Sequence, residues 1–550
     1  MATLDNDKDL GLAHLEGETM PRQAHGVPGL SKDQFLHARD AAIAETRSPG
    51  LVLRENLRAF ATILSVQTQG VILGLEYVLL GALVGNQAFC RTMGVYDAAS
   101  ASYSIEPWVL SLWAGVFGIM QFLGQITFAF ICDRFGRRVG LYLVILVTYV
   151  GVTVEVVSPN YKVYTGAKVI MGLATGGLQV AVPTYVAEVA PREIRGISIG
   201  LFAFELSLGA LIGSVVTNAG NTAFPDVMDN RGWRVPLYVG LATPTVSLVL
   251  ELLTLVESPY WCMLKGKREQ ATAGVRKLYP RKTEPEVQAE IDLLQYTIEK
   301  EREQATTNSG ATFVDCCRGR NLRRTFVAAF PSLAQQICGN QLVQSYSTYF
   351  FTLAKISNPL KASVVVSCLG LVGAIIAFFV IEKKVIGRFQ LVFGGIIAVT
   401  ICMLGIGIVD SASSGGVIGK SSGYVLVFFV GLYNLAVCVG PGVAGWAYAG
   451  EAGSVRLRAK TSALATGANA IVGTFWNVVL PYELDAIGPK TGYMFFGFGV
   501  LSCIVIWFGI PDLTGRSYAE LDELFERKIP ARKFRTAQCT GSYGEDEDAV

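Results

Sequence analysis

Residues 133–158 read DRFGRRVGLYLVILVTYVGVTVEVVS, a short basic turn followed by about twenty residues dominated by Val, Leu, Tyr and Gly. A helix of that length and composition covers the hydrocarbon thickness of a bilayer. Gly136 permits the tight turn, and the arginines anchor it on an aqueous face. Outward from here, apolar stretches fall at 59–83, 108–131, 139–158, 162–187, 196–218 and 235–256. A second set falls at 325–354, 361–382, 389–410, 423–448, 461–483 and 490–511. Lipid offers no water to backbone polar groups, so each stretch is expected to be helical. The expectation is an all-α membrane protein with twelve transmembrane helices in two six-helix bundles. Its parts are an N-terminal tail at 1–58, bundles at 59–256 and 325–511, a central loop with short helices at 257–324, and a C-terminal tail at 512–550. Two sets of six suit a carrier whose halves rock about a central site.

Composition agrees. Hydrophobic residues make up 51% of the 550 and charged residues 16%, and mean hydropathy is +0.42. Soluble chains average about 25% charged residues. A net charge of +2 argues against nucleic-acid binding. The 11 cysteines form no CxxC pair and read as small apolar side chains rather than metal ligands. No cofactor or metal is called for.

Short loops set orientation. Arg134, Arg137, Arg138, Arg192, Arg195, Lys383, Lys384, Arg388, Arg456, Arg458 and Lys460 all fall in even-numbered loops. Odd-numbered loops carry single charges such as Arg91, Lys162, Lys420 and Lys490. The positive-inside rule then places both tails and the central loop in the cytoplasm.

Several motifs recur in order along the chain. The first is Asp133-Arg134-Phe135-Gly136-Arg137-Arg138, and then come Pro183-Thr184-Tyr185-Val186-Ala187-Glu188 and Arg195-Gly196. Trp233-Arg234-Val235-Pro236 opens the sixth stretch, and Glu257-Ser258-Pro259 closes it. Gln335-Gln336-Ile337-Cys338-Gly339 lies in the seventh, Glu451 to Thr461 follows the tenth, and Pro511-Asp512 to Arg516 follows the twelfth. On these residues the chain resembles the sugar porter family of the major facilitator superfamily, and most of all the fungal α-glucoside (maltose-type) proton symporters. The matching motifs run from about residue 60 to 535.

The resemblance implies roles. Asp133, Arg134, Arg137, Glu188, Arg195, Glu257, Gly387, Arg388, Glu451 and Arg458 correspond to a cytoplasmic gating network that opens and closes as the halves rock. The second-half turn departs from the family pattern at Lys384 and Phe389, so a weaker latch is expected there. Glu76 stands where proton-coupled members carry an Asp, and Lys168 where they carry an Arg. The pair is thus implied as proton carrier and counter-charge. An ionisable group within lipid is a functional candidate in its own right. Gln335, Gln336, Gln341, Trp446 and Asn469 match positions that contact the sugar, and Glu205 lies two residues past another. Amides suit a neutral polyol, since each offers donors and an acceptor, and an indole gives a flat apolar platform. Ala203 and Gly240 stand where amides are frequent, which favours a wider site.

All three histidines (His14, His25, His37) lie in the N-terminal tail, so a carboxylate is the expected carrier of any proton within the bilayer. The function expected is a monomeric plasma-membrane carrier moving a sugar or α-glucoside with a proton by alternating access. The alternative is a same-fold carrier of a non-sugar solute or secondary metabolite, working as an importer or an exporter. No nucleophile elbow or metal cluster points to an enzyme.

Overall fold

The computed structural model describes residues 49–98, 101–191, 194–307, 312–382, 387–412, 420–454, 456–514, 516 and 518–539. The three histidines, Arg192, Lys383, Lys384 and the acidic run at 545–548 lie outside them. The long elements are helices. A small antiparallel ribbon, Val95–Asp97 with Ser102–Ser104, is the β structure among the described residues.

Among the described residues, ten stretches are long and apolar enough to cross a membrane, against the twelve expected. The difference arises in two places. The seventh stretch is divided into Gly319–Ile337, Asn340–Gln344 and Ser347–Leu353. Gly339, at φ +93°, adopts a left-handed backbone that ends one right-handed helix before the next begins. The last two expected stretches merge into one apolar region, Lys460–Gly509. Within it Arg458–Ile487 and Thr491–Gly509 are separate helices joined by the short 3-10 turn Gly488–Lys490. The tenth stretch is also interrupted, as Lys420–Val439 and Pro441–Glu451.

The first six stretches are the helices Leu57–Val84, Pro107–Phe135, Arg137–Val157, Tyr161–Val189, Arg195–Ala223 and Arg231–Thr254. The eighth and ninth are Pro359–Glu382 and Arg388–Ser411. Several outrun the apolar bounds read from sequence because a helix stops at a cap rather than at the edge of lipid. Asn160 begins the fourth by accepting hydrogen bonds from the Lys162 and Val163 amides, both 3.1 Å. Pro107 occupies the first turn of the second, where its missing N–H costs nothing.

In the first half the second stretch packs on the fourth, the first on the fifth and the third on the fourth. In the second half the eighth packs on the tenth, the seventh on the eleventh and the ninth on the tenth. Each contact of one half thus has its counterpart six stretches later. The halves meet where the second touches the eleventh and where the fifth touches the eighth. Large apolar side chains such as Phe130, Leu253, Ile471 and Phe508 project outward, as a lipid-facing surface requires. Between the halves run the short helices Pro259–Leu264, Arg268–Leu278 and Phe313–Cys316, and the longer polar helix Glu284–Thr307 of 24 residues.

Candidate functional site

The first, third and fourth stretches bring three ionisable side chains to one buried point. Lys168 Nζ lies 2.5 Å from Glu76 Oε1 and 2.8 Å from Glu155 Oε1. Side-chain exposure is 2% for Lys168, 2% for Glu76 and 0% for Glu155. The ammonium also lies 5.1 Å from the centre of the Tyr164 ring, one helical turn away. Two acids around one base leave the cluster with a net charge of −1 when all three are ionised. One bound proton would make it neutral.

The second half carries a neutral network. Gln341 Nε2 donates to Gln336 Oε1 at 3.1 Å, and Gln336 Nε2 donates to Asn469 Oδ1 at 3.3 Å. Asn469 Nδ2 is anchored on the Ser332 carbonyl at 2.8 Å. Ser345 closes the run by donating to Gln341 Oε1 at 3.2 Å. The break at Gly339 places Gln336 and Gln341 on one side of the interrupted seventh stretch. Gln335 is buried beside them, but the described hydrogen bonds do not join it to the run. Trp446 is 41% exposed and likewise stays outside it. Glu205 is buried against the first stretch near Gly70, not among the amides.

The first half adds polar groups that the sequence reading missed. Tyr77 accepts hydrogen bonds at its hydroxyl from Gln121 Nε2 and Gln179 Nε2, both 2.6 Å, and Gln125 donates to Gln179 at 2.7 Å. Tyr77 and Asn434 line a pocket between the halves. Glu155 was missed because it sits three residues before the end of its apolar run, where an acid reads as an interface residue. Its one available signal was a carboxylate inside an otherwise apolar helix.

At the arginine-rich end the charged residues are grouped within each half. Arg137 Nε and Nη2 bind Glu188 at 3.0 and 2.7 Å, while Nη1 reaches Asp133 at 2.6 Å. Glu257 Oε1 accepts from the backbone amides of Arg137 and Arg138 at 2.9 and 3.2 Å. Gly136 makes this possible: its φ is +114°, and a Cβ there would stand 2.5 Å from Glu257 Oε2. In the second half Arg388 pairs with Glu451, and its amide donates to Thr514 Oγ at 2.8 Å. Gly387 abuts Asp512. Arg134 and Arg195 are exposed and take no part in the described ion pairs, contrary to the partnership expected of them. Arg458 is half-buried at the start of the eleventh helix.

Two pseudo-symmetric helix bundles with a buried charge cluster in one and an amide run in the other define a membrane carrier, not an enzyme. The chain belongs to the sugar (and other) transporter family, whose description it matches over residues 62–525. It is 26% identical over 476 residues to Hexose transporter 2 of Kluyveromyces lactis, covering 85% of this chain and 82% of that one. It is also 26% identical over 529 residues to the Galactose transporter of Saccharomyces cerevisiae, covering 92% and 90%. Among solved structures, the inward-open xylose transporter XylE of E. coli shares the fold with a TM-score of 0.66 at 19% identity, covering 85% of this chain and 99% of that one. The protein is a multi-pass secondary transporter of the sugar-porter type.

Proposed function

We propose that this protein carries a sugar inward together with a proton, by alternating access, as a monomer in the plasma membrane. The observation that carries the reading is the Glu76–Lys168–Glu155 cluster: a buried site that is neutral with one proton bound, set in the bundle opposite a run of amides. Glu76 and Glu155 bind the proton, and Lys168 holds their charge when it leaves. Gln336, Gln341 and Asn469 bind sugar hydroxyls, with Gln335 and Trp446 beside them and Tyr77, Gln121 and Gln179 from the other half. The arginine-rich end lies in the cytoplasm by the positive-inside rule. There the Arg137 and Arg388 groups act as gating latches. Twelve crossings put both tails on that side, with the interrupted seventh and tenth stretches completing the second bundle.

The relatives named above are hexose and galactose transporters, so monosaccharides head the substrate list. Glucose-containing oligosaccharides, α-glucosides above all, are the finer expectation from the sequence motifs, with the small side chains at Ala203 and Gly240 leaving room for them. Uptake of a panel of labelled mono- and disaccharides into cells lacking their own sugar carriers, at external pH 5 and 7, tests both points. One sugar taken up faster at pH 5 is the expected result. No sugar uptake by protein present at the surface would sink the reading in favour of a non-sugar solute.

A further inference from the structure

A further acid, Glu251, is buried in the first half with no counter-charge among the described residues. It is 0% exposed, and Gln69, also 0% exposed, donates to its Oε1. Glu251 Oε2 and Gln69 Oε1 each lack a hydrogen-bond partner. Among the described residues, no Lys or Arg pairs with this carboxylate, unlike the outer pair on Lys168. Groups facing it are Gln69 on the first stretch and Tyr185 on the fourth, whose hydroxyl donates to the Val256 carbonyl at 2.7 Å. From the third stretch, Tyr149 bonds Thr245 two turns away at 2.6 Å. Glu205, on the fifth, lies against Gly70 on the neighbouring side of the first helix, and its Oε2 is also unpartnered.

The surroundings of Glu251 extend as a polar seam between the first and sixth helices. Thr68 Oγ donates to Ser247 Oγ at 2.8 Å. Nearer the arginine-rich end, the Ser65 and Thr254 hydroxyls meet at 2.7 Å. Thr62 Oγ then donates to the Thr254 carbonyl at 3.2 Å. Hydroxyls in membrane helices commonly bond their own backbone, and several of these do so as well. That habit explains the threonines and serines. It does not explain a fully buried carboxylate placed three residues from the end of its helix. Gln69 is seven residues from Glu76 on the same helix, about 10 Å along the axis and on the same face.

We infer that this seam is the exit path of the coupling proton, with Glu251 as its station between the outer cluster and the cytoplasm. The inference rests on the proton-symport reading above. A proton leaving the Glu76–Glu155 pair passes through water to the Glu251 carboxylate, which becomes a neutral acid. It is then released to cytoplasmic water at the Thr62–Thr254 end, and the carboxylate is restored. Entry and exit thus use different acids. External pH acts on the outer cluster, and internal pH acts on Glu251.

The test uses the full chain in right-side-out proteoliposomes, with labelled glucose and with external and lumenal pH set separately. Wild-type uptake should fall as the lumen is acidified, at up to roughly tenfold per pH unit for one titrating group. Glu251→Gln should lose that lumenal dependence, changing less than about twofold, while keeping the external dependence. Sugar counterflow, which needs no net proton release, should persist and shows that the variant is folded. Should the Gln variant fail to fold, Glu251→Asp should move the midpoint of the lumenal response. An unchanged lumenal profile in these variants would overturn the exit route while leaving symport intact. A lumenal Na⁺ requirement removed by Glu251→Gln would assign the site to a metal cation instead and overturn it too. Wild type indifferent to pH on both sides would sink symport itself, and this route with it.

Discussion

The first half buries a three-residue charge cluster around Lys168, whereas the second half, built on the same helix pairings, buries amides around Asn469. Equivalent scaffolds have been given unlike interiors. A charged site responds to pH and to counter-charge, and a neutral one responds to hydroxyl geometry. On the function proposed above, dividing the two tasks between halves that rock against each other lets the occupancy of one bias the position of both, which is the thermodynamic content of coupling.

The comparison can be broken most severely at Lys168. Lys168→Met leaves two acids in a dry site without a cation, and removing one partner of a buried pair costs about 3–5 kcal/mol. A large drop in melting temperature in detergent is expected, together with loss of pH-driven uptake. An unchanged melting temperature would mean that the cluster does not hold the first half together. Next comes Glu76→Gln, which should reduce uptake under an imposed pH gradient by at least about tenfold while sparing counterflow. Glu155→Gln should move transport in the same direction. Full coupling in the Glu155 variant would return the proton to Glu76 alone.

On the amide side, Gln336→Leu or Asn469→Leu should raise KM about tenfold, the cost of one or two polar contacts of ~1 kcal/mol each. The dependence on external pH should stay as in wild type. A variant of this pair that altered pH dependence and spared KM would erase the division of labour between the halves. The smallest effect is expected at the latches. Arg388→Ala removes one half-exposed pair, ~1 kcal/mol or less, and should shift the balance of inward- and outward-facing forms by at most about fivefold. Arg137→Ala strips Glu188 and Asp133 of their shared partner and should shift it further. Distance measurements between spin labels on the two halves would read both variants.

Much of the fold was legible because lipid imposes one answer on an apolar run of about twenty residues. The breaks were not, since Pro441 lies within a run that stays apolar on either side, and a glycine such as Gly339 permits a left-handed backbone without requiring one. At the site, Glu76 and Lys168 stood out as charges deep in apolar helices. Their contact did not follow, because it depends on the relative rotation of two helices. Arg137 and Arg195 looked alike in sequence, yet one gathers two acids and the other faces solvent.

Sequence by itself determined that this chain crosses the membrane many times, that it falls into two similar halves, and that its buried acids and amides are few enough to name. Hydropathy and spacing suffice for that, because burial in lipid is decided residue by residue. Only the tertiary structure decided that Glu155 joins Glu76 on one lysine, and that the amides of two distant helices form one run. It alone left Glu251, among the described residues, without a counter-charge beside a ladder of hydroxyls. Such pairings depend on angles and distances between helices that are set by the packing of every side chain between them, and no local pattern records them.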